Sequence, residues 1–419
     1  MLIQLSFGQK SSTFQDSAAN YFNEIKFETK RHQQLWATDL YGPILLVNPN
    51  TRQLFSNFPD SAGTLKQSGE IYSGILANEI NIANTAINWN GRRWAMIMLP
   101  LPINKQDRIN LLAHELFHAR QPELGFKLFN AENNHLDQKY GRIYLRLELE
   151  ALKKSLQTAN QIEQRTHLTN ALTFRKYRYS LYLGADSTEN VLELNEGIAE
   201  YTGLIISGRN IKQSTEHFMQ SINAFMNNPT FVRSFAYQTI PVYGYALTHI
   251  KKDWVREITI NTNLTDYFIR AFEISLPDDL KKTTDVILNQ YNVEIIESEE
   301  QAREEKTKKQ IAEYKSKFIT QPHFELTFEQ MSVSFDPRNI MPIEDKGTMY
   351  PNIRVTDNWG ILTVENGALM SPNWDKISVT IPLQIDNVNI RGDGWTLEIK
   401  DGYAVTKEES SGNYRLTKK

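Results

Sequence analysis

The sequence predicts an α+β chain: a β-rich N-terminal lobe over 1–103, a mainly helical lobe over 104–296, a charged helical linker at 297–320 and a small all-β C-terminal domain over 321–419. Three observations predict this order. Short β-runs with turn punctuation fill 42–100, helical periodicity dominates from 104 to about 318, and alternating strand patterns return past Gln321. A chain of 419 residues is long enough for two or three domains and more than one core.

Taken in order, Leu2, Ile3, Leu5 and Phe7 followed by Gly8-Gln9 read either as the end of an export signal or as a short N-terminal strand; export to a periplasmic or secreted location is favoured. Ala18–Trp36 has the spacing of a polar amphipathic helix. GPILLV and RQLFSNF, joined by Asn48-Pro49-Asn50, predict one hairpin, and Asn90-Gly91 between TAINW and RRWAMIM predicts a second. Helical periodicity then covers 104–121, 135–158, 162–182, 190–207, 213–226, 241–255 and 277–318. The last carries ESEEQAREEKTKK (297–309), the pattern of a solvated helix between domains. FELTF, MSVSF, IRVTD, GILTV, ISVTIPL and TLEIK, with Asn-Gly at 366–367 and Asp-Gly at 393–394 and 401–402, give the C-terminal strands. DNVNIRGDG (386–394) has calcium-like residue types without the loop spacing, and reads as a hairpin.

Composition excludes several functions. Lys and Arg total 46 against 49 Asp and Glu, a net charge of −3, so the basic field of a nucleic-acid binder is absent. The absence of cysteine excludes disulfides, iron–sulfur clusters, thiolate metal sites and cysteine nucleophiles. The longest apolar stretch, Trp94–Ile103, is interrupted by Pro100 and Pro102 and is far short of the roughly twenty residues that span a bilayer. Any metal must be held by Asp, Glu or the eight histidines.

The chemistry concentrates in NKQDRINLLAHELFHARQPE, which contains HExxH as His114-Glu115-Leu116-Phe117-His118. Asn104 is a cap, Asp107 stands at the third helical position and Pro122 ends the run. At about 100° per residue, Ile109, Leu112, Ala113 and Leu116 make a core stripe, while His114 and His118 lie one turn apart on the opposite side. Two imidazoles so spaced reach one zinc ion, and Glu115 beside them is a general base for a zinc-activated water. A third ligand is required. ENVLELNEGIAEYTGLIIS offers Glu193, Glu196 and Glu200 at i, i+3 and i+7 among apolar neighbours, where buried carboxylates need a cation or hydrogen-bond donors. Gly197 suits close approach of another backbone. Glu148 and Glu150 in YLRLELEAL are rival third ligands.

HELFH together with LNEGIAEY resembles the gluzincin zinc peptidases, which include thermolysin-like proteases and zinc aminopeptidases. The resemblance covers two short motifs. It implies a zincin-like helical lobe, Zn2+ as cofactor with His114, His118 and Glu196 as ligands, and Glu200 orienting a ligand histidine. It also implies peptide binding along an edge strand before the motif helix, for which Arg92–Leu99 is the candidate, and a transition-state tyrosine, for which Tyr243 and Tyr245 are the candidates. His249 is a further candidate in the same segment. The gap between His118 and Glu196 is much longer than that family's usual spacing, so either the helices at 135–158 and 162–182 are an insertion or Glu196 is not the ligand. The expected function is a zinc metallopeptidase acting on peptide or protein substrates. The alternative is a non-catalytic binding protein on a peptidase-like scaffold, presenting its C-terminal β-domain to a partner or glycan.

Overall fold

The structure, a computed structural model, describes the backbone of residues 5–126, 131–336, 339–386 and 388–419, and side chains from residue 17 onward. It is α+β, with a β region, a helical middle and C-terminal sheets. Helix α1 (Leu5–Arg31) opens the described chain, so Leu5 and Phe7 lie on helical backbone rather than on a strand; Leu2 and Ile3 lie outside the described residues. The helix expected to reach Trp36 ends at Arg31 and passes into turns.

The first sheet holds six strands, β1 (Ile44–Val47), β2 (Gln53–Ser56), β3 (Lys66–Ser68), β4 (Ile71–Ile75), β5 (Thr85–Trp89) and β6 (Arg92–Met98), in the order β3-β4-β2-β1-β6-β5. Both expected hairpins form: β1 pairs antiparallel with β2, and β5 with β6 across Trp89 and Arg92 at Asn90-Gly91. Strand β1 runs parallel to β6. Alternation along the strands sends Ile44, Leu46, Ala95 and Ile97 to the core shared with the helices, and Leu45, Val47, Trp94 and Met96 to a smaller core on the other face. Strand β6 is therefore interior, hydrogen-bonded on both sides, and the edge nearest the motif helix belongs to β5. The expectation that Arg92–Leu99 presents the free edge is corrected on this pairing.

Helices follow as α2 (Lys105–Arg120), α3 (Lys139–Gln157), α4 (Gln161–Leu181) and α5 (Ala185–Leu192), then a π-helical turn Glu193–Gly197, α6 (Ile198–Ile206), α7 (Ile211–Phe225), α8 (Ala236–Thr248), α9 (Leu264–Ala271), α10 (Leu280–Ile287) and α11 (Val293–Lys315). Helix α2 crosses α6 where a Cβ on Gly203 would stand 2.5 Å from the carbonyl oxygen of Asn110. Only a glycine permits that approach. Gly197 does the same for α8, since a Cβ there would meet the Ile240 side chain at 2.7 Å and the Ala236 carbonyl oxygen at 3.1 Å. This packing carries α8 back to Ala236, with Pro241 inside the helix rather than at its start, so the expected span of 241–255 is displaced towards the N-terminus. The charge run at 297–309 lies on α11, yet its first turns are docked: Glu300, only 1% exposed, pairs with Arg142 at 2.7 Å and Arg146 at 2.8 Å.

A fully buried ion network ties the helical layers together. Arg175 of α4 reaches Glu148 of α3 at 2.7 Å and Glu193 of the π turn at 2.7 Å. Arg178 reaches Glu148 at 2.8 Å and Glu189 of α5 at 2.6 Å. Thr239 and Tyr243 of α8 donate to Glu193 and Glu148 at 2.7 and 3.0 Å.

The C-terminal strands form two sheets around one core that includes Phe324, Val379 and Met370 from one sheet and Val355, Leu362 and Leu397 from the other. Seven strands, including His323–Thr327 and Lys376–Thr380, make the first sheet. Six, ending at the edge strand Ser332–Phe335, make the second.

Removing Arg175 from the buried network leaves Glu193 without its guanidinium partner and Glu148 with only Arg178. Arg175→Ala is therefore expected to lower unfolding stability by about 3–5 kcal/mol in a urea titration. A loss below about 1 kcal/mol would show that the network is not what ties these helices together.

Candidate metal centre

Helix α2 delivers both histidines from one rigid element. Its N-terminus is capped by Asn104, whose side chain accepts from the Asp107 amide at 3.1 Å. Its core stripe of Ile109, Leu112, Ala113 and Leu116 is fully buried, which fixes the helix rotation and turns His114 and His118 towards α6. The π turn brings the third residue. His118 Nε2 lies 3.0 Å from His114 Nε2 and 3.1 Å from Glu196 Oε2, and His114 Nε2 lies 3.5 Å from the same oxygen.

Each of these groups is held from behind. His114 Nδ1 faces Glu200 Oε2 at 2.9 Å, and Glu200 Oε1 accepts from Asn110 Nδ2 at 2.9 Å. His118 Nδ1 faces Gln121 Oε1 at 2.8 Å, and Gln121 Nε2 donates to the Asn195 carbonyl at 3.1 Å. Asn195 Nδ2 donates to Glu196 Oε1 at 3.1 Å. Because a carboxylate and an amide oxygen only accept, both Nδ1 atoms carry a proton, and in the neutral imidazoles a metal needs both Nε2 atoms present lone pairs. Two lone pairs and a carboxylate oxygen then converge at 3.0–3.5 Å, a repulsive arrangement that a cation relieves. Ligand atoms roughly 2.0–2.1 Å from one tetrahedral centre stand about 3.3 Å apart, so the spacing suits a single ion. His114, His118 and Glu196 are placed to hold a metal ion.

Electrostatics favour positive charge at the shared point, supplied by a proton on an imidazole or by a cation that displaces it. Burial opposes ionisation of Glu196, but the two histidines hold its carboxyl well below the usual range. Burial would lower His114, yet hydrogen bonds to Glu196 and Glu200 raise it well above an ordinary imidazole. Burial raises Glu115 despite both histidines, and its Oε2 is buried without a hydrogen-bond partner. Glu115 lines, with His114, His118 and Glu196, a cavity of about 470 Å³ whose rim includes Thr85 and Ala86 of the edge strand β5.

Tyr237, on the first turn of α8, completes the site. Its hydroxyl donates to Glu196 Oε2 at 2.6 Å, and its ring stacks on His114 with centroids 5.4 Å apart. Burial together with Glu196 pushes its pKa well above the ordinary phenol value, keeping it a donor. Tyr243 and Tyr245 do not reach the cavity. Tyr243 is buried against Glu148 and Arg175 in the ion network, and Tyr245 packs its ring on Phe218 and His249. His249 is exposed, its Nδ1 on the Tyr245 carbonyl. The rival ligands are also engaged elsewhere: Glu148 by Arg175 and Arg178, Glu150 by Lys153 at 2.8 Å. Reading Pro241 as a helix start left Tyr237 outside the expected helix. Gln121, three residues after His118, and Asn195, inside LNEGIAEY, were legible in position but not in role.

No family model, curated protein or solved structure matches the chain.

Glu196→Gln is expected to strip the metal, because an uncharged amide is a poor ligand, whereas Glu148→Gln and Glu150→Gln retain it. Metal content per chain after dialysis decides between them, and metal kept by Glu196→Gln but lost by Glu148→Gln would relocate the centre. Glu200→Gln, which loosens the proton clamp on His114, is expected to weaken metal affinity about 10–100-fold in a chelator competition.

Proposed function

We propose that the chain is a zinc-dependent metallohydrolase that cleaves peptide bonds with Glu115 as its general base. The observation that carries this reading is the buried Glu115 Oε2, without a hydrogen-bond partner, in the same cavity as three converging ligand atoms. Two imidazoles and one carboxylate, leaving a further position open, are the donor set of catalytic rather than structural zinc sites. The likeness of HELFH and LNEGIAEY to gluzincin motifs supports the same choice of metal and chemistry. When bound, a zinc ion supplies Lewis acidity, polarising a carbonyl and lowering the pKa of water towards about 7.

The chain's own residues account for the remaining work. Glu115, its pKa raised by burial, takes a proton from the attacking water and returns it to the leaving nitrogen. Tyr237 remains protonated and, by swinging its hydroxyl from Glu196 to the carbonyl oxygen, stabilises developing negative charge. Strand β5 ends its sheet beside the cavity, so its outer backbone groups can pair with an extended peptide, which favours peptides over other acyl substrates.

Two substitutions test the roles on the zinc-loaded protein. Glu115→Gln is expected to lower kcat by about 10²–10⁴ while zinc content stays at that of the unaltered chain. Loss of zinc instead would make Glu115 a ligand or a fold determinant. Tyr237→Phe is expected to lower kcat by about 10²–10³ with KM little changed, and an equal kcat would remove the tyrosine from the reaction.

A further inference from the structure

Arg93 of β6 faces the helical side of the sheet, as Ala95 and Ile97 of the same strand do, and lines the metal cavity together with His118, Gln121 and Pro122. Its guanidinium closes the end of α2. Nε donates to the Ala119 carbonyl at 3.1 Å and Nη2 to the His118 carbonyl at 3.3 Å. Those two bonds occupy one edge of the guanidinium. The other edge, made by Nη1 and the second hydrogen of Nη2, finds no acceptor among the described residues. No carboxylate among the described residues pairs with Arg93 either, although Arg108, Arg120 and Arg209 around the same helix pair with Glu24, Glu123 and Asp107. A half-buried arginine with a free fork, in the cavity that holds the metal ligands, is a site for an anionic group.

We infer that Arg93 is a specificity-determining residue that takes a carboxylate of the substrate, so that the end of the cavity beyond His118 selects acidic peptides. The inference rests on the metallopeptidase reading and deepens it by naming the substrate class. Neighbouring strands lie about 4.8 Å apart, so a peptide paired to the outer edge of β5 runs roughly 10 Å from β6. Strand β5 stands between them. There its residue opposite Ala95 is Ala86, a single methyl group packed on the helical core. An arginine reaching from β6 and a carboxylate on a short stem from the peptide can therefore meet over Ala86 without displacing a larger side chain. An acidic side chain and a free chain end both present such a carboxylate. Capping alone does not require this residue type, because water or a lysine can satisfy the carbonyls of a last helical turn. A planar guanidinium that bonds them with one edge keeps the other for bidentate recognition.

Matched acid and amide hydroxamates test this without depending on turnover. Full-length, zinc-loaded protein is titrated calorimetrically with acetohydroxamate, which reports the metal alone, and with two pairs of compounds. N-acetylglutamate α-hydroxamate and N-acetylglutamine α-hydroxamate differ by a carboxylate against an amide on a side chain. Hydroxamoylacetyl-alanine and its C-terminal amide differ in the same way at a chain end. The acid of at least one pair is expected to bind roughly tenfold tighter than its amide, as one charge-assisted bidentate contact predicts, and the pair that shows the gain identifies the source of the carboxylate. Arg93→Gln is expected to reduce that gain to about twofold or less. Because Arg93 also closes α2, Asn88→Asp carries the same test with the arginine kept. Asn88 is exposed and directly opposite Arg93 across the β5–β6 pair, so a carboxylate there occupies the free fork and is expected to cut the gain likewise. Equal binding of acid and amide in both pairs by the unaltered protein overturns the inference while leaving the metal centre standing. So does a full acid gain in either variant, folded and still binding acetohydroxamate. Failure of acetohydroxamate to bind the unaltered protein overturns the metal reading and the inference together.

Discussion

Three acceptor atoms, two imidazole Nε2 and one glutamate oxygen, meet within 3.0–3.5 Å of each other, and the surrounding structure exists to hold them there. Such a meeting is unfavourable on its own terms. Lone pairs repel, and burying them away from water removes the usual relief. A cation at the shared point would relieve the cost, and a shell of donors and acceptors prevents the groups from turning away. Glu200 and Gln121 fix the imidazole tautomers, Asn195 takes the other oxygen of Glu196, and Asn110 anchors Glu200. Arg209 extends the chain by donating to Asn110 Oδ1 at 3.2 Å.

The π-helical turn is what makes one segment serve two sites. In a regular helix Glu193, Glu196 and Glu200 would share a face. The widened turn at Glu193–Gly197 breaks that register, as single π turns at functional sites do. Glu193 is thereby directed into the buried arginines of α4, while Glu196 and Glu200 both face α2. The ion network and the metal centre are consequently neighbours through one turn of backbone. Thr239 bridges to α8 on the network side and Tyr237 on the metal side, so α8 is registered against both.

Much of this could be read from the chain and some could not, for identifiable reasons. HExxH on a capped helix with an apolar stripe carries its own geometry, since 3.6 residues per turn decide which side chains coincide. The second motif identified Glu196 and Glu200 by type, and Gly197 by the closeness it permits. The hairpins announced themselves through Asn-Gly and alternation. What stayed hidden depends on contacts distant in sequence. Strand order is a matter of pairing, and nothing in the sequence of Arg92–Leu99 marks that β1 lies beside it. Proline suggested a helix start at 241, but packing of Ala236 and Ile240 against Gly197 carries the helix through it, and Tyr237 comes with that extension. The charge run at 297–309 gave no sign that Glu300 alone would be drawn into a buried pair with two arginines. The contact of the C-terminal sandwich with the 78–82 segment likewise has no local signature.

The central claim is that a single zinc ion is bound where those three atoms converge. An anomalous-difference map at the zinc absorption edge, from crystals of the full chain grown with zinc, tests it most directly. The account predicts one strong peak about 2.0–2.1 Å from His114 Nε2, His118 Nε2 and a Glu196 oxygen, with Glu115 uncoordinated beside it. A peak ligated by Glu148 or Glu150, or a peak ligated by Glu115, or no peak at this point at saturating zinc, would contradict it.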